Sequence, residues 1–270
     1  MPEMTEAPSG APTAGPDGGP LLALRGVSKR FGAVRALDGV DFELRGGEVV
    51  GLVGDNGAGK STLVKVMSGI QPADEGEYLF EGERRHVASA VDATGLGVAT
   101  VYQDLALCDN LDVVANLFIG REELAGGLAG SVRELDEAGM ERRAAQLLKT
   151  LTVTIPSLRS EVGLMSGGQR QSIAIARALL GEAKVVLLDE PTAALGVAQT
   201  QQVLDLIKRL RERGHGVVVI SHNLDDVFAV ADRIVVLRLG RRAAVHDAAQ
   251  TSREEVVAAI TGAGRTEDGA

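Results

Sequence analysis

Apolar positions change period several times along the chain, and each change marks an element. Val49 to Val53 (VVGLV) is an unbroken, β-branched run, the pattern of a strand covered on both faces. Val185 to Leu188, Val217 to Ile220 and Ile234 to Leu237 have the same character. Leu22 to Phe31 and Ala36 to Leu44 instead alternate, as strands with one solvated face do, punctuated by Gly32 and the Arg45-Gly46-Gly47 turn. Gly76 to Gly82 and Gly97 to Gln103 read as two further strands. Helical spacing governs Ser61 to Ser68, Asp112 to Ile119, Leu135 to Leu151 and a helix running from the Met165 stretch through Leu180. It also governs Gln199 to Arg211, where Val203, Leu206, Ile207 and Leu210 share one side.

Strand-like runs alternating with helices predict an α/β domain with a mainly parallel sheet. Between Asp104 and Arg177 the pattern is largely helical, with no strong strand signal until Val153-Thr154-Ile155. A helical subdomain at about 104–177, inserted into the α/β core, fits that shift. Residues 1–20 hold Pro2, Pro8, Pro12, Pro16 and Pro20 among Gly, Ala and Ser, a composition expected to form a disordered tail. The ordered domain is expected over 21–262, with a frayed tail at 263–270. No internal repeat is visible, so the chain reads as one unit.

Composition narrows the function. With 270 residues and 45% hydrophobic positions the chain is long enough to bury a core. A net charge of −9, aromatics at 3% and no Trp argue against nucleic acid as a partner, since both phosphate contacts and stacking platforms are scarce. Cys108 is the sole cysteine, which excludes an intrachain disulfide and a cysteine metal cluster and suits a reducing compartment. No secretory signal or membrane span is legible. The long apolar stretch Ile173 to Leu188, for example, is broken by Arg177, Glu182 and Lys184.

The chemistry is concentrated after the Val49 strand. Gly54, Asp55, Asn56, Gly57, Ala58, Gly59, Lys60 and Ser61, followed by Thr62, fit the phosphate-loop pattern G-x-x-x-x-G-K-S/T between a strand and a helix. Glycines let backbone N–H groups wrap phosphates, and the helix N-terminus adds donors and a favourable dipole. Lys60 is suited to the β/γ-phosphates, and the Ser61 hydroxyl to Mg²⁺. A second cluster is Asp189-Glu190 at the carboxyl end of the Val185 strand, where open α/β sheets place ligands. Asp189 is expected to hold Mg²⁺ through water, and Glu190 to orient and deprotonate an attacking water. Ser166, Gly167, Gly168 and Gln169 open a helix, with Ser166 as a good N-cap and two glycines leaving amides open to an anion.

Phosphate loop, Ser-Gly-Gly-Gln stretch and Asp-Glu strand, in this order, resemble the ATP-binding cassette (ABC) ATPases over roughly Leu21 to Gly262. The resemblance implies the fold of that family: a P-loop ATPase core with a mainly parallel sheet, an N-terminal antiparallel β subdomain and an inserted helical subdomain. It implies ATP and Mg²⁺ as cofactors. Gln103 then resembles the glutamine that senses Mg²⁺ and γ-phosphate and hinges the helical subdomain. His222 resembles the switch histidine at the γ-phosphate, and Phe31 the aromatic that stacks on adenine. Ser166 to Gln169 would close over the nucleotide of a second cassette in a head-to-tail homodimer. Two departures stand out: Met165 replaces the usual Leu, and Gly196 stands where the loop after the Asp-Glu strand normally ends in Asp.

Within the family, Tyr102 to Phe118, Ala193 to Val197 and Ser221 to Phe228 resemble single-cassette bacterial monosaccharide importers of the ribose, xylose and fructose type. The implied partners are transmembrane permease subunits and, indirectly, a sugar-binding protein, at the cytoplasmic face of the cell membrane. The segment after Gln103, around Leu105 to Phe118, is where a permease helix would dock. A GTPase is disfavoured, because none of the four asparagines is followed by Lys as the base-reading motif requires. The alternative to an importer ATPase is a nucleotide-sensing ABC-type interaction module with weak or no hydrolysis, a reading motivated by Gly196.

Overall fold

A computed structural model of the chain describes residues 19–125 and 134–263. The tails expected at 1–20 and 263–270 lie outside the described residues except for Gly19, Pro20 and Ala263. Among the described residues ten strands and eight α-helices are formed. The strands are β1 (Leu22–Phe31), β2 (Val34–Leu44), β3 (Val49–Val53), β4 (Glu75–Phe80), β5 (Glu83–Arg85), β6 (Val98–Val101), β7 (Val185–Asp189), β8 (Gly216–Ile220), β9 (Arg233–Arg238) and β10 (Arg241–Asp247). The helices are α1 (Lys60–Met67), α2 (Ala90–Gly95), α3 (Val113–Phe118), α4 (Glu137–Thr150), α5 (Gly167–Leu179), α6 (Val197–Glu212), α7 (Leu224–Val230) and α8 (Arg253–Thr261).

The alternating N-terminal strands build an antiparallel sheet of order β2-β1-β4-β5, and the continuous apolar runs build a second sheet of order β10-β9-β3-β8-β7-β6. In the second sheet only β10 is antiparallel to its neighbour. Every residue of β3 and β8 is buried, because both faces of that sheet are covered. On one face Val50 and Leu52 join α1 and the antiparallel sheet in a hydrophobic cluster with Phe42, Leu63 and Met67. On the other, Val186, Leu188 and Val219 meet Leu117, Leu148, Ile173 and Ile207 from α3, α4, α5 and α6. The helices between 104 and 179 therefore share one core with the sheet. A smaller cluster seats α7 and α8 on Val53, Ile234 and Val236.

One expected strand does not form. Val153-Thr154-Ile155 adopts no regular structure and joins no ladder, although Val153 and Ile155 pack against the helical cluster. The chain leaves α4 through Thr152 at φ 55, and Val153 N–H returns to Leu148 O (2.9 Å), so the segment is a helix exit. Elements β5, α2, α7, β10 and α8 carry no strong periodic signal. β10 (RRAAVHD) is a largely exposed edge strand, and α8 buries only Val256.

Candidate functional site

The residues singled out around the phosphate loop converge because five parallel strands end at one edge. Leu52 of β3, Asp189 of β7 and Val235 of β9 stand in register with Ile220 of β8 or with each other: Leu52 with Ile220, Asp189 with Ile220, and Leu52 with Val235. Val101 of β6 is in register with Leu188. Gly54, Gln103, Glu190 and His222 each follow within two residues of these positions, on the carboxyl edge of the sheet.

Glycine at 54 and 59 is demanded from the protein side. Gly54 has φ 150, and a Cβ there would meet Leu237 O at 2.2 Å. Gly59 has φ 104, and its Cβ would meet Ala36 O at 2.7 Å and Leu37 Cδ2 at 3.0 Å. Gly59 also occupies the N-cap of α1 without any side-chain cap, so the first amides of that helix stay available to an anion. The Lys60 ammonium is held over the loop by Gly54 O (2.6 Å) and Asp55 O (3.0 Å). Burial lowers its pKa, opposed by the charges of Glu190, Asp55 and Asp189. The Lys60 ammonium thus stands among three carboxylates.

Burial raises the Asp189 carboxyl above the usual carboxylate range, Glu190 raises it further, and Lys60 and Lys65 oppose the shift. A raised folded-state pKa means that folding disfavours the ionised carboxylate. The cost is present at pH above the folded pKa and disappears as pH falls through it. Asp189→Asn is therefore expected to raise the melting temperature of the nucleotide-free protein at neutral pH, by about 2–4 °C for each kcal/mol relieved. Calorimetry at pH 7 checks this, and an unchanged or lower value would show that the strand end is not electrostatically loaded.

Glu190 has φ 50, a left-handed conformation that side chains rarely adopt and that persists only when its surroundings hold it. Its N–H donates to Ile220 O (2.9 Å), and two residues on the Thr192 hydroxyl donates to Asp226 Oδ2 (2.6 Å) in a buried contact. The turn directs the Glu190 carboxylate at His222, whose Nδ1 lies 2.9 Å from Oε2. His222 is 76% exposed and Glu190 17%, so the pair has one protected and one open member. Asp226 went unrecognised in the sequence. Its signal was present, because Asn223 caps α7 through Asp225 N–H and Asp226 sits in that helix's first turn.

Gln103 is exposed just past β6. Phe31, at the end of β1, is 44% exposed, which removes it from the core, and Lys29 Nζ stands 5.8 Å from its ring centroid. Ser166 caps α5 as expected and forms a capping box with Gln169. Among the described residues no hydrogen bond joins Ser166 to Gln169 with Gly54 to Thr62. The Ser166 turn leans instead on the loop before α6. A Cβ on Gly167 would meet Leu195 Cδ2 at 2.7 Å, and one on Gly168 would meet Gln199 Cβ at 3.1 Å. Space at both glycines is tight: Leu195 would have to turn away from a side chain at 167, and Gln199 would have to give by a few tenths of an ångström for one at 168, which is buried.

A metal at this edge has hard oxygen donors in the Ser61 hydroxyl and the Asp189 carboxylate, the donor type that Mg²⁺ takes. Among the described residues no group of three or more His, Cys, Asp or Glu could hold a metal alone. The remainder of a Mg²⁺ shell would come from phosphate and water.

Comparison with known proteins follows the same lines. The family model for ABC transporters matches residues 37–193. The chain is 47% identical to a fructose import ATP-binding protein of Rhizobium meliloti, over 90% of this chain and 95% of that one. It is 44% identical to a xylose/arabinose import ATP-binding protein of Sulfolobus acidocaldarius, over 89% and 94%. It is 42% identical to a ribose import ATP-binding protein of Rubrobacter xylanophilus over 90% of this chain, spanning 47% of that longer relative. Among solved structures, a nucleotide-free ATP-binding cassette from an ABC transporter superposes with a TM-score of 0.75 at 26% identity, covering 90% of this chain and 95% of the other. A dimeric cassette in a post-hydrolysis state, bound to ADP and Pi, gives 0.67 at 26% identity, covering 84% and 98%.

Proposed function

Because the chain belongs to the ABC transporter family, whose ATP-binding subunits are ATPases, we propose that it hydrolyses ATP to drive monosaccharide import through separate permease subunits. The observation that carries this reading is the convergence of Lys60, Asp189, Glu190 and His222 at one sheet edge, with Glu190 2.9 Å from His222. The identity to fructose and xylose/arabinose import proteins along nearly their whole length supports the substrate class.

Residues 21–262 form the cassette in this reading, and 104–177 its helical subdomain. The loop Gly54 to Thr62 cradles the phosphates, and Lys60 moves from the Gly54 and Asp55 carbonyls onto the β/γ-phosphates. Phe31 stacks on adenine. Ser61, Asp189 and Gln103 hold Mg²⁺, which when bound screens phosphate charge. Glu190 positions and deprotonates the attacking water, and His222 steadies the γ-phosphate and the Glu190 carboxylate together. Ser166, Gly167, Gly168 and Gln169 complete the site of a second copy in a head-to-tail homodimer. The dimeric relative bound to ADP and Pi supports that assembly. The intact Glu190–His222 pair disfavours the alternative of a non-hydrolysing sensor module, despite Gly196.

No helix among the described residues is long and apolar enough to cross a membrane, and the proposed position is peripheral, on the cytoplasmic face. A groove of about 340 Å³ beside Gln103 offers the permease a seat. It is lined by Thr94, Tyr102, Leu105, Leu117 and Ile119, and the apolar Ile119 is 45% exposed. Co-reconstituted with its permease and binding protein, the wild-type chain should support ATP-dependent uptake of a labelled monosaccharide. Ile119→Glu or Thr94→Arg should cut uptake about tenfold or more while ATP affinity of the isolated chain stays within about twofold, since both lie outside the nucleotide edge. ATP-dependent transport without any monosaccharide preference would overturn the substrate class. Normal uptake by both variants would overturn the docking surface.

A further inference from the structure

Arg177 is a half-buried arginine near the carboxyl end of α5 whose guanidinium meets backbone carbonyls and no carboxylate among the described residues. Its Nη1 donates to Ala106 O (2.7 Å) and its Nη2 to Leu105 O (2.7 Å). The two acceptors are consecutive in the chain and begin two residues after Gln103. Both face one guanidinium in a turn where Ala106 has a left-handed conformation, φ 48, and its N–H donates to Asp104 Oδ1 (3.2 Å). One planar fork thus fixes both carbonyls of a turn that would not hold this shape unaided. Burial lowers the pKa of Arg177, a cost the site bears without an ion pair to offset it. A second tie from the same helix, Arg170 to Asp109, is a largely exposed ion pair of small expected weight.

At its other end α5 begins with the Ser166 capping box, and Ser172 Oγ donates to Gly168 O (2.8 Å) within its first turns. With 1.5 Å rise per residue, Arg177 lies about 16 Å along the helix from Ser166. One helix therefore carries the Ser166 turn at one end and holds the segment after Gln103 at the other. We propose that Arg177 is a positioning residue, coupling nucleotide engagement at Gln103 to the presentation of the Ser166 turn to a second copy of the chain. The inference rests on the composite-site reading above. It assigns a route by which one site's occupancy is felt at the other's edge.

The test uses ATP and the Glu190→Gln chain, in which bound nucleotide persists. The parent should dimerise with ATP in sedimentation experiments. Added Arg177→Met, which keeps the apolar stem, should leave fluorescent-ATP affinity within about twofold yet weaken ATP-driven dimerisation about tenfold or more. Arg177→Lys, whose ammonium cannot clamp both carbonyls at once, should fall between. Hydrogen exchange should quicken over residues 104–108 in both variants and stay unchanged in β7. Dimerisation at the parent's ATP concentration, or loss of ATP affinity in step with dimerisation, would overturn the proposal. If Arg177→Met does not fold, Arg177→Lys decides, and parental dimerisation by that variant overturns it. A parent that fails to dimerise would instead remove the composite-site reading, and this inference with it.

Discussion

Glu190→Gln is expected to retain ATP and to lose about 10²–10⁴-fold in turnover, the contribution of a positioned acid or base. The substitution is close to isosteric, and the backbone contact that sets the residue's unusual conformation, Glu190 N–H to Ile220 O, does not involve the side chain. An amide can still meet His222 Nδ1, so the local arrangement persists while the proton acceptor is gone. Lys60 and the loop amides are untouched, so nucleotide binding remains. Single-turnover release of phosphate, measured beside a fluorescent-ATP titration, separates the two effects. Hydrolysis within a few-fold of wild type would show that another group activates the water.

Mixing two inactive variants should restore ATP-dependent dimerisation that neither shows alone. Lys60→Ala removes the ammonium placed over the loop. The loss of a hydrogen bond to a charged group, about 1.5–3 kcal/mol, weakens ATP binding about 10- to 150-fold. For the opposite half-site the choice of residue matters. An acid at Gly168 would crowd Gln199 and Gln202 of its own chain, its Cβ meeting Gln199 Cβ at 3.1 Å, and so would mix a packing change with the added charge. Ser166→Asp is the cleaner lesion, because Asp caps a helix as well as Ser does and adds only a charge. In the mixed dimer, one site combines both lesions, while the other pairs an intact loop with an intact Ser166 turn. Sedimentation of the 1:1 mixture with ATP should show dimer where each variant alone stays monomeric. A mixture that behaves as its components, beside a wild type that dimerises, would mean that the Ser166 turn does not complete a partner's site.

Local sequence determined whatever depends on local pattern. Val49–Val53 and Val217–Ile220 read as strands buried on both faces because a layer on each side leaves no polar position, and the run is then continuously apolar. The phosphate loop, the capped start of α5 at Ser166 and the end of β7 at Asp189 were legible for the same reason, since each is defined within a few residues. Tertiary structure decided the rest. Val153 to Ile155 has strand composition but no strand beside it, and β10 has poor composition but pairs with β9 throughout. The need for glycine at 54 and 59 comes from Leu237 and Ala36, distant in sequence, and the tight space at 168 from Gln199 of α6. Glu190 reaches His222 only because β7 and β8 lie side by side in register. Arg177, an ordinary helix-end arginine by sequence, acquires its two carbonyls from a turn more than seventy residues earlier. Contacts of that range have no periodicity along the chain, so they become visible only when the sheet has brought their partners together.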